Sequence, residues 1–224
     1  MELYDLSFYL SRWIHFFAGV VWIGLLYYFN FVQTEYFKEA DAAAKASAIS
    51  KLVPRALWWF RYGALFTFLS GLVLLYFIGT ATNFYITVGL VLGTLMFLNV
   101  WLIIWPNQKI VMASNEQVLV GGEALPAAAG ALAKAGLASR TNTLFSLPML
   151  FFMGASAHLG GVGRVPLMSQ GGVSELAMGL CALIILALEG NAIMGKTGPM
   201  ASVSGVIHWG VWLTVALVLV IQYL

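Results

Sequence analysis

Few residues in this chain are equipped for chemistry. Three histidines, His15, His158 and His208, stand within or at the ends of long apolar stretches, with Glu189 and several amides and guanidiniums near them. An imidazole inside an apolar span is costly unless it has a partner or a role. Two imidazoles on different helices at one depth are the axial ligand set of a b-type haem iron. Counting rise per residue, His15 falls about two turns into the first stretch and His158 near the outer end of the fourth, in the same outer half. His15 and His158 are therefore candidate ligands of haem b, and His208 is the third candidate. The alternative is that each hydrogen-bonds a nearby carbonyl or an interfacial water. His208 and Glu189 both count to the inner half. They form either a proton-handling pair or separate structural hydrogen bonds, to Asn191, Trp209 or a backbone carbonyl.

A second group lies at one level near the inner ends of the stretches. It comprises Asn30, Gln33, Arg61, Asn99, Asn107, Gln108, Arg140, Asn142 and Glu189. Asn30, Asn99 and Glu189 are deeper than snorkelling requires. The reading with chemical content is a polar pocket open to the cytoplasm; the plain one is a scatter of interfacial side chains. In the pocket, Arg140 and Asn142 would hold an anionic or amide-bearing ring, because guanidinium donates hydrogen bonds in pairs. Asn30, Gln33, Asn99 and Glu189 would complete it. On the first stretch His15, Gly19, Trp22, Leu26 and Gln33 share one helical face. Gly19 there leaves room for a flat cofactor or for an ordinary helix crossing. Cys181 is alone, which excludes an internal disulfide, a thiolate cluster and a CxxCH haem attachment, and leaves packing as its role.

The elements that must position these residues are membrane helices. The chain of 224 residues is 61% hydrophobic and 9% charged, with mean hydropathy +0.90, against about 25% charged in soluble domains. A net charge of +2 gives no basis for nucleic-acid binding. Six stretches reach the roughly 20 residues that cross a bilayer, at 8–33, 57–78, 84–106, 142–160, 174–194 and 203–223. None alternates as a strand would, so the expected fold is all-α: an integral membrane bundle of about six transmembrane helices, forming one domain over 1–224. Residues 35–56 and 107–141, Ala-rich and punctuated by Pro54 and Pro126, read as amphipathic interfacial helices. A Gly-rich connection runs from Gly160 to Gly172. The start, Met1-Glu-Leu-Tyr-Asp5, lacks a basic region, so the first stretch reads as retained and not as a cleaved signal. All Lys and Arg except Arg12 and Arg164 fall on the first, third and fifth loops and their flanks. Basic loops stay inside, which predicts a multi-pass protein of a bacterial inner membrane with both termini periplasmic.

Three blocks carry a resemblance: Arg12-Trp-Ile-His15 through Trp22 to Gln33, Trp105-Pro-Asn-Gln108, and Ser139-Arg-Thr-Asn-Thr-Leu-Phe-Ser146 continued by Pro148 to Gly154. Together they resemble the N-terminal membrane domain of bacterial membrane-bound urate oxidases (urate hydroxylases), over most of the chain. The resemblance implies a redox protein of purine catabolism that oxidises a purine-like substrate or relays electrons to a cytochrome c. In that family a cytochrome c domain follows the membrane domain. This sequence stops at Leu224 without a CxxCH, so the expectation is a separate acceptor. Two other readings stay open: a non-catalytic subunit of a larger respiratory assembly, with oligomerisation, and a small-solute transporter, for which no clear internal repeat is visible.

Overall fold

The structure, a computed structural model, describes residues 2–159 and 172–224. Residues 160–171, which hold Arg164 and most of the expected Gly-rich connection, lie outside the described residues. Seven helices are present among the described residues: α1 Leu3–Glu39, α2 Ala42–Lys51, α3 Val53–Ile78, α4 Phe84–Leu119, α5 Ala128–His158, α6 Glu175–Met194 and α7 Val203–Tyr223. Their starts follow from local chemistry. Side-chain oxygens of Asp41, Asn83, Ser174 and Ser202 accept from backbone N–H groups three residues on, satisfying donors that a helix leaves open. Pro54 sits in the first turn of α3, where its missing N–H costs nothing.

The helical, multi-pass architecture matches the sequence expectation, with one correction. The Ala-rich segments are not separate interfacial helices. Apart from the short α2, they are extensions: α1 continues to Glu39, α4 to Leu119, and α5 begins at Ala128. Continuing a helix past the bilayer keeps every backbone bond, so an Ala-rich flank prolongs its span. The fourth expected span differs from the others in composition. Five helices, α1, α3, α4, α6 and α7, are long and apolar enough to cross a membrane. α5 is long, at 31 residues, but is not among them.

The reason is its position. α5 packs against α4, α6 and α7 and touches α1, so protein surrounds much of it. Arg140, Thr141, Asn142, Thr143 and Ser146 are all buried on this helix. Thr141 and Thr143 donate to carbonyls four residues back, and Ser146 to one three back. Pro148, inside α5, cannot donate to the Leu144 carbonyl. Gly210 of α7 packs at that point: a Cβ there would lie 3.2 Å from the Leu144 oxygen. A similar approach joins α1 and α3, where a Cβ on Gly63 would lie 3.1 Å from the Trp22 backbone nitrogen.

Two helices widen locally. α1 passes through a π turn at Tyr28–Gln33 and α4 through another at Asn99–Ile104. Each holds a buried asparagine, Asn30 and Asn99. Such turns recur at functional sites.

Candidate functional site

At the end of the bundle where Lys38, Lys45 and Lys196 lie, an open cavity of about 840 Å³ is bounded by the π turn of α1, α2, the start of α3, α4, α5 and the segment after α6. Small-molecule sites occupy about 300–1,000 Å³. Phe29, Phe37, Leu57 and Phe60 supply apolar and aromatic walls; Asn30, Gln33, Gln108, Ser139 and Arg140 supply polar groups. Four cations line it, Lys38, Lys45, Arg140 and Lys196, and no Asp, Glu, His or Cys does among the described residues. Lys38 is held by Glu35 at 2.8 Å. The field in the cavity therefore favours an anion.

Arg140 is the central group. It is only 6% exposed, and its Nη1 is buried without a hydrogen-bond partner among the described residues. The Oε1 of Gln33 is in the same condition. Buried polar atoms are paired in the great majority of cases, so an orphaned donor and acceptor on one cavity mark a place where a ligand completes the bonding. Asn30 is already engaged. Its amide donates to the Leu26 carbonyl at 2.9 Å and to Ser139 Oγ at 2.8 Å, tying the π turn of α1 to α5 beside Arg140.

The other three pocket candidates form a separate structure. Asn99 Nδ2 donates to Asn142 Oδ1 at 3.0 Å and to Glu189 Oε2 at 3.1 Å, while Asn142 Nδ2 donates to the Met96 carbonyl at 2.9 Å. None of the three lines the cavity. The cluster joins α4, α5 and α6. Arg140 and Asn142 part company because residues two apart on a helix point to nearly opposite sides.

The histidines are not brought together. α1 starts at Leu3, five residues before the expected span, so His15 is 12 residues into it, or about 18 Å. His15 shares a small cavity, about 50 Å³, with Met149 and Met153 of α5. His158 ends α5, is exposed, and lies about 8–14 Å farther along the helix than those methionines. The expected common depth is therefore corrected. A porphyrin does not fit in the cavity beside His15, which holds a water or two, and Gly19 faces Thr67 of α3, whose methyl would lie 4.0 Å from a Cβ there, an ordinary helix crossing. His208 is exposed, its Nδ1 2.6 Å from the Ser204 carbonyl of its own helix. It makes no pair with Glu189. Cys181 is buried in the core.

Reading the residues alone missed Lys38, Lys45, Lys196 and Ser139 as parts of the cavity. The lysines served there only to orient the helices, although their sharing one end was itself the signal of a cationic mouth. Arg61, grouped with the inner polar residues, stacks on Trp105 with its Cζ 3.7 Å from the ring centroid, away from the cavity lining.

A family model described as urate oxidase N-terminal matches residues 76–165. The match contains Asn99, Arg140, Asn142 and His158 and two of the three resembling blocks; the block from Arg12 to Gln33 lies outside it. No curated protein and no solved structure matches the chain.

Proposed function

We propose that this chain, whose residues 76–165 match the urate oxidase N-terminal family, is the membrane-embedded binding unit of a urate-oxidase-like redox system. Its ligand is a planar, purine-like anion held in the cationic cavity. The observation that carries this reading is Arg140: a buried guanidinium, unpartnered at Nη1, on the wall of a cavity lined by cations and aromatic rings. Guanidinium offers paired, coplanar donors to an anionic or carbonyl-bearing ring edge. Gln33 supplies an acceptor for a ring N–H. Phe29 and Phe37 supply apolar surface for the ring faces.

The cavity binds and orients; no carboxylate, imidazole or thiol lines it among the described residues, and its titratable groups are cationic. Oxidation of a bound purine needs an electron acceptor, which by this reading is an external cytochrome c or a partner subunit. Because the cavity opens at the lysine-rich end, it faces the cytoplasm of an inner membrane; with the long α5 crossing as the sixth span inside the bundle, both termini are periplasmic. A reporter fused after Leu224 reads out on the periplasmic side if this orientation holds.

The decisive experiment is equilibrium dialysis of radiolabelled urate against the purified protein in lipid nanodiscs. One urate per chain is expected, with binding weakened at least about tenfold in Arg140→Ala and retained in Cys181→Ser. No saturable binding, or binding unchanged in Arg140→Ala, overturns the reading.

A further inference from the structure

We propose that the small cavity beside His15 is a binding site for a single Cu(I) ion, held by the His15 imidazole and the thioethers of Met149 and Met153. It is separate from the cationic cavity, and nothing in the purine reading depends on it.

The imidazole is prepared for ligation. Ser70 Oγ lies 2.6 Å from the Phe66 carbonyl and so directs its hydroxyl proton there. With that proton committed, the same oxygen is placed to accept from His15 Nδ1, 3.1 Å away. In the proposed site His15 carries its proton on Nδ1, which leaves the lone pair of Nε2 for the metal, and the ring is oriented by a neighbouring helix. Metal-binding histidines are held in this manner, through the nitrogen that does not touch the metal.

The sulfur donors come from one face of α5. Met149 and Met153 are four residues apart, so they stand one above the other, and both line the cavity with His15. Glycines make the room. A Cβ on Gly71 would lie 3.2 Å from His15 Cε1, one on Gly89 3.1 Å from Met153 Cγ, and one on Gly93 3.9 Å from Met149 Cγ. The indole of Trp22 also lines the space, almost wholly buried, with its Nε1 unpartnered among the described residues. At about 50 Å³ the cavity suits an ion and is far too small for a porphyrin.

Donor chemistry selects the ion. Thioethers are soft and favour Cu(I), whereas magnesium, calcium and manganese require carboxylate, carbonyl or water oxygens. The three donors are neutral and no carboxylate lines the cavity among the described residues. A monovalent ion is therefore less costly than a divalent one in this apolar setting. A neighbouring indole face adds attraction for a cation.

The test is a competition titration of the full chain in detergent. Cu(I), kept reduced with ascorbate, is partitioned between the protein and a chromogenic Cu(I) chelator. One Cu(I) per chain is expected, with part of the tryptophan fluorescence quenched to an endpoint at one equivalent and that quenching absent in Trp22→Phe. His15→Ala is expected to weaken binding at least tenfold, and the Met149→Leu, Met153→Leu double variant to abolish it. Leucine nearly conserves volume, so the double variant folds; an unchanged melting temperature verifies this independently of urate. Cys181→Ser is expected to bind as the parent does. Failure of the parent to compete with the chelator overturns the proposal and leaves the cavity to water. Undiminished binding in the double variant overturns it too, since the ion then sits elsewhere.

Discussion

Two polar groups on α5, one helical turn in extent, lead opposite lives. Asn142 points into a closed set of hydrogen bonds with Asn99, Glu189 and the Met96 carbonyl, and it is fully buried. Arg140 points into an open cavity and leaves Nη1 without a partner. The first group spends its bonding capacity on joining three helices. The second retains capacity that only another molecule can use. A buried polar residue in a membrane bundle is therefore informative about function when its bonds are incomplete, and about assembly when they are complete.

Substitutions can break or sharpen that contrast. The largest effect is expected at Arg140→Ala, which removes a charge-assisted contact worth about 1.5–3 kcal/mol; urate affinity should fall by about 10- to 150-fold in dialysis. The melting temperature should hold or rise, because an incompletely paired cation has been removed. A large fall in stability would place Arg140 in the same class as Asn142. Next is Asn142→Leu. Interhelical hydrogen bonds in membranes contribute about 0.6–2 kcal/mol each, so losing two should cost about 1–4 kcal/mol in reversible unfolding while urate affinity per folded molecule stays near that of the parent. Gln33→Leu should weaken urate a few-fold and leave stability unchanged, as expected of an acceptor without an internal donor. Lys196→Ala should weaken binding less than Gln33→Leu does at low salt, and not at all at high salt, since exposed charges are screened beyond about 10 Å at 0.1 M ionic strength. The smallest effect is expected for His158→Ala: exposed at the end of α5, it should change stability by less than about 0.5 kcal/mol and alter neither urate nor Cu(I) titrations.

The helical fold was legible because apolar runs of bilayer length have few alternatives, and the ends of α6 and α7 agree with the expected spans to within a residue. The level of the inner polar residues was legible too, since depth follows from counting. Which of them face one another was not. Arg140 and Asn142 occupy one level, yet only helix azimuth separates a cavity wall from a cluster, and azimuth depends on neighbours that no local pattern names. The relative depth of His15 and His158 was not legible for a related reason. His15 was measured from an assumed membrane edge at residue 8, and the helix begins earlier. The π turns at Asn30 and Asn99 add a further rotation that a regular 3.6-residue count does not contain.

Those two wide turns bear on how the chain tolerates change in length. Each accommodates one residue more than the α spiral needs, and one residue corresponds to about 100° of helix rotation. Removing a single residue between Tyr28 and Gln33, or between Asn99 and Ile104, would let the helix close to regular geometry while the flanking segments keep their packed faces. Elsewhere in α1 or α4, the same deletion would turn everything beyond it out of register by that angle. One-residue gaps between this chain and its relatives are therefore expected to fall at these two places, and a relative bearing such a gap would lack the asparagine's present setting along with the turn.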